Sequence, residues 1–169
     1  ARRDPSNTGW QRDLSVSHTK IGDVRVARGE LDAALTAYEA GLAIREDLAR
    51  RDPSNTHWQR DLSISFDRLG NIALRRDAPA DAAEYFERSL EVMRPLADAD
   101  THHAEFQRHV AVTLALLGDA LAAARSQQAG EAYREALARL ERLAAAGRLA
   151  PRDAWMPDEL RRRLDGLGG

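Results

Sequence analysis

Five histidines, a scatter of acids and a short arginine run are the groups in this chain that could do chemistry, and their spacing limits what that chemistry could be. His102 and His103 are adjacent, and His109 follows on the same stretch. A metal site needs ligands that converge on one point. Adjacent residues entering a helix diverge by about 100°, so this pair reads as loop residues in water. His18 and His57 have no acid or nucleophile at a supporting spacing. There is no glycine-rich phosphate loop and no Gly-x-Ser-x-Gly turn. With no cysteine in the chain, disulfides, thiolate metal sites and cysteine nucleophiles are excluded. Asp158-Glu159 and the arginines 161 to 163 read as charges that suit the start and end of one helix. The expectation is a non-enzymatic chain with no cofactor and no metal.

The elements that carry these groups are set by an internal repeat. Residues 3 to 17 read RDPSNTGWQRDLSVS and residues 51 to 65 read RDPSNTHWQRDLSIS, identical at 13 of 15 positions at an offset of 48. A repeat this close means one structural unit stacked on a copy of itself. Trp10, Leu14, Ser17, Ile21 and Val24 fall at +4, +3, +4, +3. Copy two gives Trp58, Leu62, Ser65, Leu69 and Ile72, and a degraded copy three gives Phe106, Val110, Thr113, Leu117 and Ala120. That spacing holds all five on one stripe of a helix, helix A. After a breaker (Arg28-Gly29, Asp77-Ala78-Pro79, Ser126-Gln127-Gln128) comes helix B, with Ala34, Tyr38, Gly41, Leu42 and their copies Ala82, Phe86, Ser89, Leu90 and Ala129, Tyr133, Ala136, Leu137. Copy three is one residue short here, which predicts a tighter A–B turn.

Gly22, Gly70 and Gly118 recur inside helix A, where glycine costs roughly 1 kcal/mol against alanine. The expected reason is that helix B crosses there, with Ala34, Ala82 and Ala129 as the matching small residues and Tyr38, Phe86 and Tyr133 filling the space one turn on. Pro95, inside helix B of copy two, predicts a kink or an early end near Arg94. The helix-A N-cap is Asp52, Ser54 or Asn55, which sequence alone leaves open.

These recurring positions resemble the tetratricopeptide repeat. Its leucine-glycine pair matches Ile21-Gly22, Leu69-Gly70 and Leu117-Gly118. Its later alanine, aromatic and small residue match Ala34, Tyr38 and Gly41 and their copies. The usual repeat has ~34 residues, so this unit carries about 14 more. Shared between its two helices, they lengthen each by about two turns, as in the repeats of kinesin light chain and some large bacterial regulatory proteins. The resemblance implies an all-α, α-solenoid fold. Three helix-turn-helix repeats (about 4–50, 52–98 and 100–147) occupy residues 1–150, and 151–169 form a C-terminal capping helix and tail. Trp155, Leu160 and Leu164 would cover the last exposed face, on a helix from Pro157 to about Asp165.

The family's inner face comes mainly from helix A. It implies partner contacts at Val16, Thr19, Lys20 and Asp23, at Ile64, Asp67, Arg68, Asn71 and Arg75, and at Val112 and Asp119, with Ala115, Leu116 and Ala122 beside them. Asp23, Asn71 and Asp119 form one row, expected to hydrogen-bond a peptide backbone. Chaperone-binding relatives hold a terminal carboxylate with a Lys and an Asn one turn apart. Here Thr19 and Asp23 stand at that pair, so no carboxylate clamp is expected. The implied function is a protein- or peptide-binding module of a larger bacterial protein.

Ala1-Arg2-Arg3 match Ala49-Arg50-Arg51, so the chain is expected to start in the last turn of a helix B, leaving the outer side of the first helix A uncovered. Self-association through that face, giving a homo-oligomer, is the alternative function. A net charge of −2 predicts no bulk attraction to nucleic acid. No apolar run spans a bilayer and none reads as a signal peptide. No membrane partner and a cytoplasmic location are expected.

Overall fold

A computed structural model describes residues 7–168 and is helical throughout, apart from short turns. Helices α1 (Thr8–Ala27), α3 (Thr56–Arg75) and α5 (Ala104–Ala123) are the A helices. Helices α2 (Leu31–Arg51), α4 (Pro79–Ala99) and α6 (Ala129–Ala145) are the B helices. A 3₁₀ turn, Pro151–Asp153, leads into α7 (Met156–Gly166). Close packing runs from each helix to the next in sequence, which makes an α-solenoid-like stack of helical hairpins. The Ala1-Arg2-Arg3 match lies outside the described residues.

The repeat is visible in the bonds that start and stop each helix. Asn7, Asn55 and His103, spaced by 48, each accept the backbone N–H three residues on, at 3.1, 3.2 and 3.3 Å. Asn55 is therefore the cap that sequence left open. His103 is not a free loop residue: its imidazole caps α5 and stacks on Phe106 with ring centroids 3.7 Å apart. At the other end, Gly29, Asp77 and Arg125 share the left-handed conformation (φ of 76°, 58° and 57°). The next N–H in each case returns to the carbonyl of Arg25, Ala73 or Leu121 at 2.8–3.0 Å. Copy three does not tighten its turn. The missing residue is absorbed by α6, which begins only at Ala129, whereas α2 and α4 begin three residues ahead of the matching alanines.

Gly22, Gly70 and Gly118 are buried, but the group lying on them is the aromatic ring itself rather than the alanine of helix B. A methyl group built on Gly70 would lie 2.6 Å from the Phe86 ring, and those on Gly22 and Gly118 would overlap Tyr38 and Tyr133. Pro95 does not end its helix: α4 continues to Ala99, because Met93 and Ala97 on either side are completely buried while Pro95 faces solvent. Packing there outweighs one lost hydrogen bond.

Arg45 of α2 is buried between α1 and α3. It donates to Ser15 Oγ (3.3 Å), Thr19 Oγ1 (3.1 Å), Ser65 Oγ (2.7 Å) and Asp61 O (3.2 Å), with no carboxylate in ion-pair contact among the described residues. Burial pushes its guanidinium below the ordinary arginine value. The same position in copy two is Met93, also buried. The three hydroxyls each donate to a backbone carbonyl as well, so they keep a partner without Arg45. Arg45→Met is expected to change stability by no more than about 1 kcal/mol in either direction. Arg45→Ala, which leaves a void, should cost about 2–4 kcal/mol in urea unfolding.

At the C-terminal end, Met156, Pro157 and Leu160 are buried against α6 and its neighbours and Leu164 is half-buried. Trp155 departs from the expected cap. It remains 60 % exposed, with its indole N–H held by Arg152 O at 2.9 Å. No described helix is long and apolar enough to cross a membrane.

Candidate partner-binding site

The row expected to meet a peptide is already engaged within the protein. Tyr38 Oη donates to Asp23 Oδ1 at 2.6 Å, and Tyr133 Oη donates to Asp119 Oδ1 at 2.7 Å. An arginine of the following unit closes each pair. Arg68 of α3 reaches Asp23, and Arg163 of α7 reaches Asp119 at 2.5 Å. Each guanidinium also sits over the tyrosine ring, at 5.6 and 5.9 Å. Burial, reinforced by the adjacent carboxylate, raises both tyrosines above their ordinary value, so they remain donors. In copy two the aromatic is Phe86, which has no hydroxyl. There the acid becomes Asn71, whose amide turns to Asp67 O at 2.7 Å. Asp pairs with Tyr and Asn with Phe, a covariation within the repeat that sequence reading passed over.

Asp67 is also committed. Thr113 Oγ1 donates to it at 3.2 Å, and His109 Nε2 lies 3.0 Å from its Oδ2. Ser63 Oγ lies 2.8 Å from the same His109 Nε2. Ser, His and Asp are the residue types of a nucleophilic triad, but there the acid and the hydroxyl use opposite ring nitrogens. Here both address one nitrogen, and Ser63 is fully buried against Ser89 at 2.8 Å. The cluster is a polar strut joining α3, α4 and α5. Of the other histidines on this stretch, His103 caps α5 and His102 is exposed in the turn, so the three diverge.

The remaining expected contacts divide. Thr19 is half-buried under Arg45. Val16 and Ile64 are half-buried, and Asn71 is exposed. Lys20 and Arg75 are exposed and form no ion pair among the described residues.

The α5 end of this face opens into a cavity. It has a volume of about 410 Å³ and is lined on one wall by Val112, Ala115, Leu116 and Asp119, four positions expected on the inner face. The opposite wall, from the 3₁₀ turn and α7, brings Trp155, Met156, Leu160, Glu159 and Arg163. Leu116, which lines this wall, stands where copy two has Arg68 and copy one Lys20, so an apolar side chain takes the place of a cation here. Arg108 fixes the far wall by binding Asp153 with both nitrogens, at 2.6 and 2.8 Å. Arg152 on the rim is left largely in water. Its nearest carboxylate, Asp153, is 3.8 Å away and already taken. Trp155 and Arg152, with the rest of this second wall, come from the segment read as a cap and were not among the expected contacts.

No family model matches the chain, and no curated protein matches it.

Proposed function

We propose that the chain is a non-catalytic protein-interaction module of the tetratricopeptide type, with its peptide anchor at the α5–α7 cavity. The observation that carries this reading is an exposed tryptophan standing over an apolar floor of Val112, Leu116, Met156 and Leu160. Exposed aromatics beside a preformed apolar pocket are the usual anchors of peptide recognition. The guanidinium of Arg152 at the rim, three-quarters exposed and only distantly paired with Asp153, suits a carboxylate next to the anchor. The ligand is therefore a peptide segment with one large aliphatic or aromatic side chain flanked by Asp or Glu. A place in a larger, cytoplasmic, bacterial protein fits the arginine-rich, cysteine-free composition.

Short peptides with a Leu-Glu or Phe-Glu core, titrated while tryptophan emission is followed, test the anchor. Binding should shift the Trp155 signal to the blue. Leu116→Arg, which restores the cation of the other copies, should weaken binding by about tenfold or more and leave the melting temperature unchanged. A peptide that binds equally well to wild type and to Leu116→Arg would place recognition elsewhere.

A further inference from the structure

We propose that α1 is the receiving half of an inter-unit interface, and that its partner is a helical hairpin of this same repeat class whose second helix carries the side chains of α2. The inference is independent of the cavity. It rests on α1 and α3 presenting nearly the same surface to opposite fates. Trp10, Leu14, Ile21 and Val24 are 47 %, 43 %, 50 % and 51 % exposed. Their counterparts Leu62, Leu69 and Ile72 are buried in the cluster that includes Tyr38 and Leu42 of α2. A bare apolar stripe of this length marks an interaction surface.

The polar positions say what the partner carries. Arg12 of the preceding unit binds Asp61 at 3.0 Å; the counterpart Asp13 has no ion pair among the described residues. Arg68 reaches back to Asp23 of the preceding unit; its counterpart Lys20 is exposed and likewise free of an ion pair among the described residues. Ser65 Oγ donates to Asp61 O at 3.1 Å and accepts from Arg45. Ser17 Oγ makes the same bond to Asp13 O at 2.9 Å, with no arginine bonded to it among the described residues. The incoming hairpin thus offers an arginine in the place of Arg12, an acid in the place of Asp23 and an apolar helix face in register with Leu14 and Ile21.

A second copy of this chain cannot supply that surface by end-to-end stacking. Its last B helix, α6, is already covered by α7, where Arg163 meets Asp119 as Arg68 meets Asp23.

The experiment inserts a second copy of residues 4–51 ahead of residue 4, so that a new α2 lies against α1. The lengthened chain should melt in one transition, at least about 5 °C above the parent. Ile21→Glu on the original α1 should remove most of that gain, yet shift the parent by no more than about 2 °C. Asp13→Arg should remove a smaller part, again only in the lengthened chain. Separate transitions for the added unit, or an equal cost of Ile21→Glu in both chains, would overturn the proposal. Light scattering on the parent should give a monomer. A dimer that dissociates on Ile21→Glu would assign α1 to a second copy and refute the hairpin partner.

Discussion

Gly118→Ala should destabilise the protein by about 2–4 kcal/mol, although alanine is the better helix former by about 1 kcal/mol. The added methyl overlaps the Tyr133 ring, which is buried. Forcing a carbon into a filled core costs about 1–3 kcal/mol. The ring cannot yield freely, since its hydroxyl is held on Asp119 at 2.7 Å and the guanidinium of Arg163 lies over its face. Losing that bond to a charged acceptor adds about 1.5–3 kcal/mol. Gly130→Ala is the internal control. It sits in the first turn of α6, where a methyl would meet the far end of the flexible Arg134 side chain at 3.3 Å and Leu167 at an ordinary contact distance of 3.7 Å, so it should be neutral or stabilising by up to about 1 kcal/mol. Tyr133→Leu should cost less in the Gly118→Ala background than in wild type, because the overlap is then already relieved. Equal costs for Gly118→Ala and Gly130→Ala in urea unfolding would remove the steric account of the repeat glycine.

Asp153→Asn should cost about 1.5–3 kcal/mol near neutral pH. The carboxylate is almost fully buried, while Arg108 is about a third exposed, so screening favours the lower part of that range. The bond from Arg108 holds the Asp153 carboxyl below the usual carboxylate range, and burial only partly opposes it. The folded-state pKa is therefore depressed. Its stabilisation is present in full above the unfolded-state value and is lost as pH falls through the folded one. The difference in stability between wild type and Asp153→Asn should shrink steadily from about pH 4 downwards. Melting both proteins at about pH 7 and about pH 3 reads this directly. A difference that stays constant across that interval would mean that the Asp153 charge contributes nothing to holding the cap.

Much of the fold was legible because the 48-residue period acts as its own alignment. Glycine recurring in mid-helix at Gly22, Gly70 and Gly118 identified a close approach before any coordinate did. What approaches it is the ring of Tyr38 and its copies rather than Ala34, a matter of side-chain direction along helix B that spacing alone does not carry. Local propensity overstates the effect of Pro95, because it leaves out the buried Met93 and Ala97 beside it. Residue type understates His103, since imidazole is an uncommon N-cap, although it stands in register with Asn7 and Asn55. The inner-face residues were harder. Asp23, Asp67, Arg68 and Asp119 sit where a groove was expected but bind one another's units, and only the Asp–Tyr and Asn–Phe pairing carried a trace of this. The cavity escaped sequence reading because its second wall comes from a segment outside the repeat.

The two ends of the stack explain each other. At α7 the chain supplies a substitute for the next A helix, including its arginine, and the last hairpin is covered. At α1 nothing among the described residues plays the matching part, and the stripe stays in solvent. The same near-identical sequence is therefore core in one copy and surface in another, a difference made by stacking alone.

The chain has no cysteine, so single cysteines report this without interference. The most direct test of repeat stacking is the thiol-labelling rate of Ile21→Cys, Leu69→Cys and Leu117→Cys, three positions 48 residues apart on one stripe. The thiol at position 21 should react at nearly the rate of the unfolded chain, and those at 69 and 117 only as fast as the protein opens, slower by about a hundredfold or more. Three similar rates, or a protected thiol at 21 beside reactive ones at 69 and 117, would contradict the stack described above.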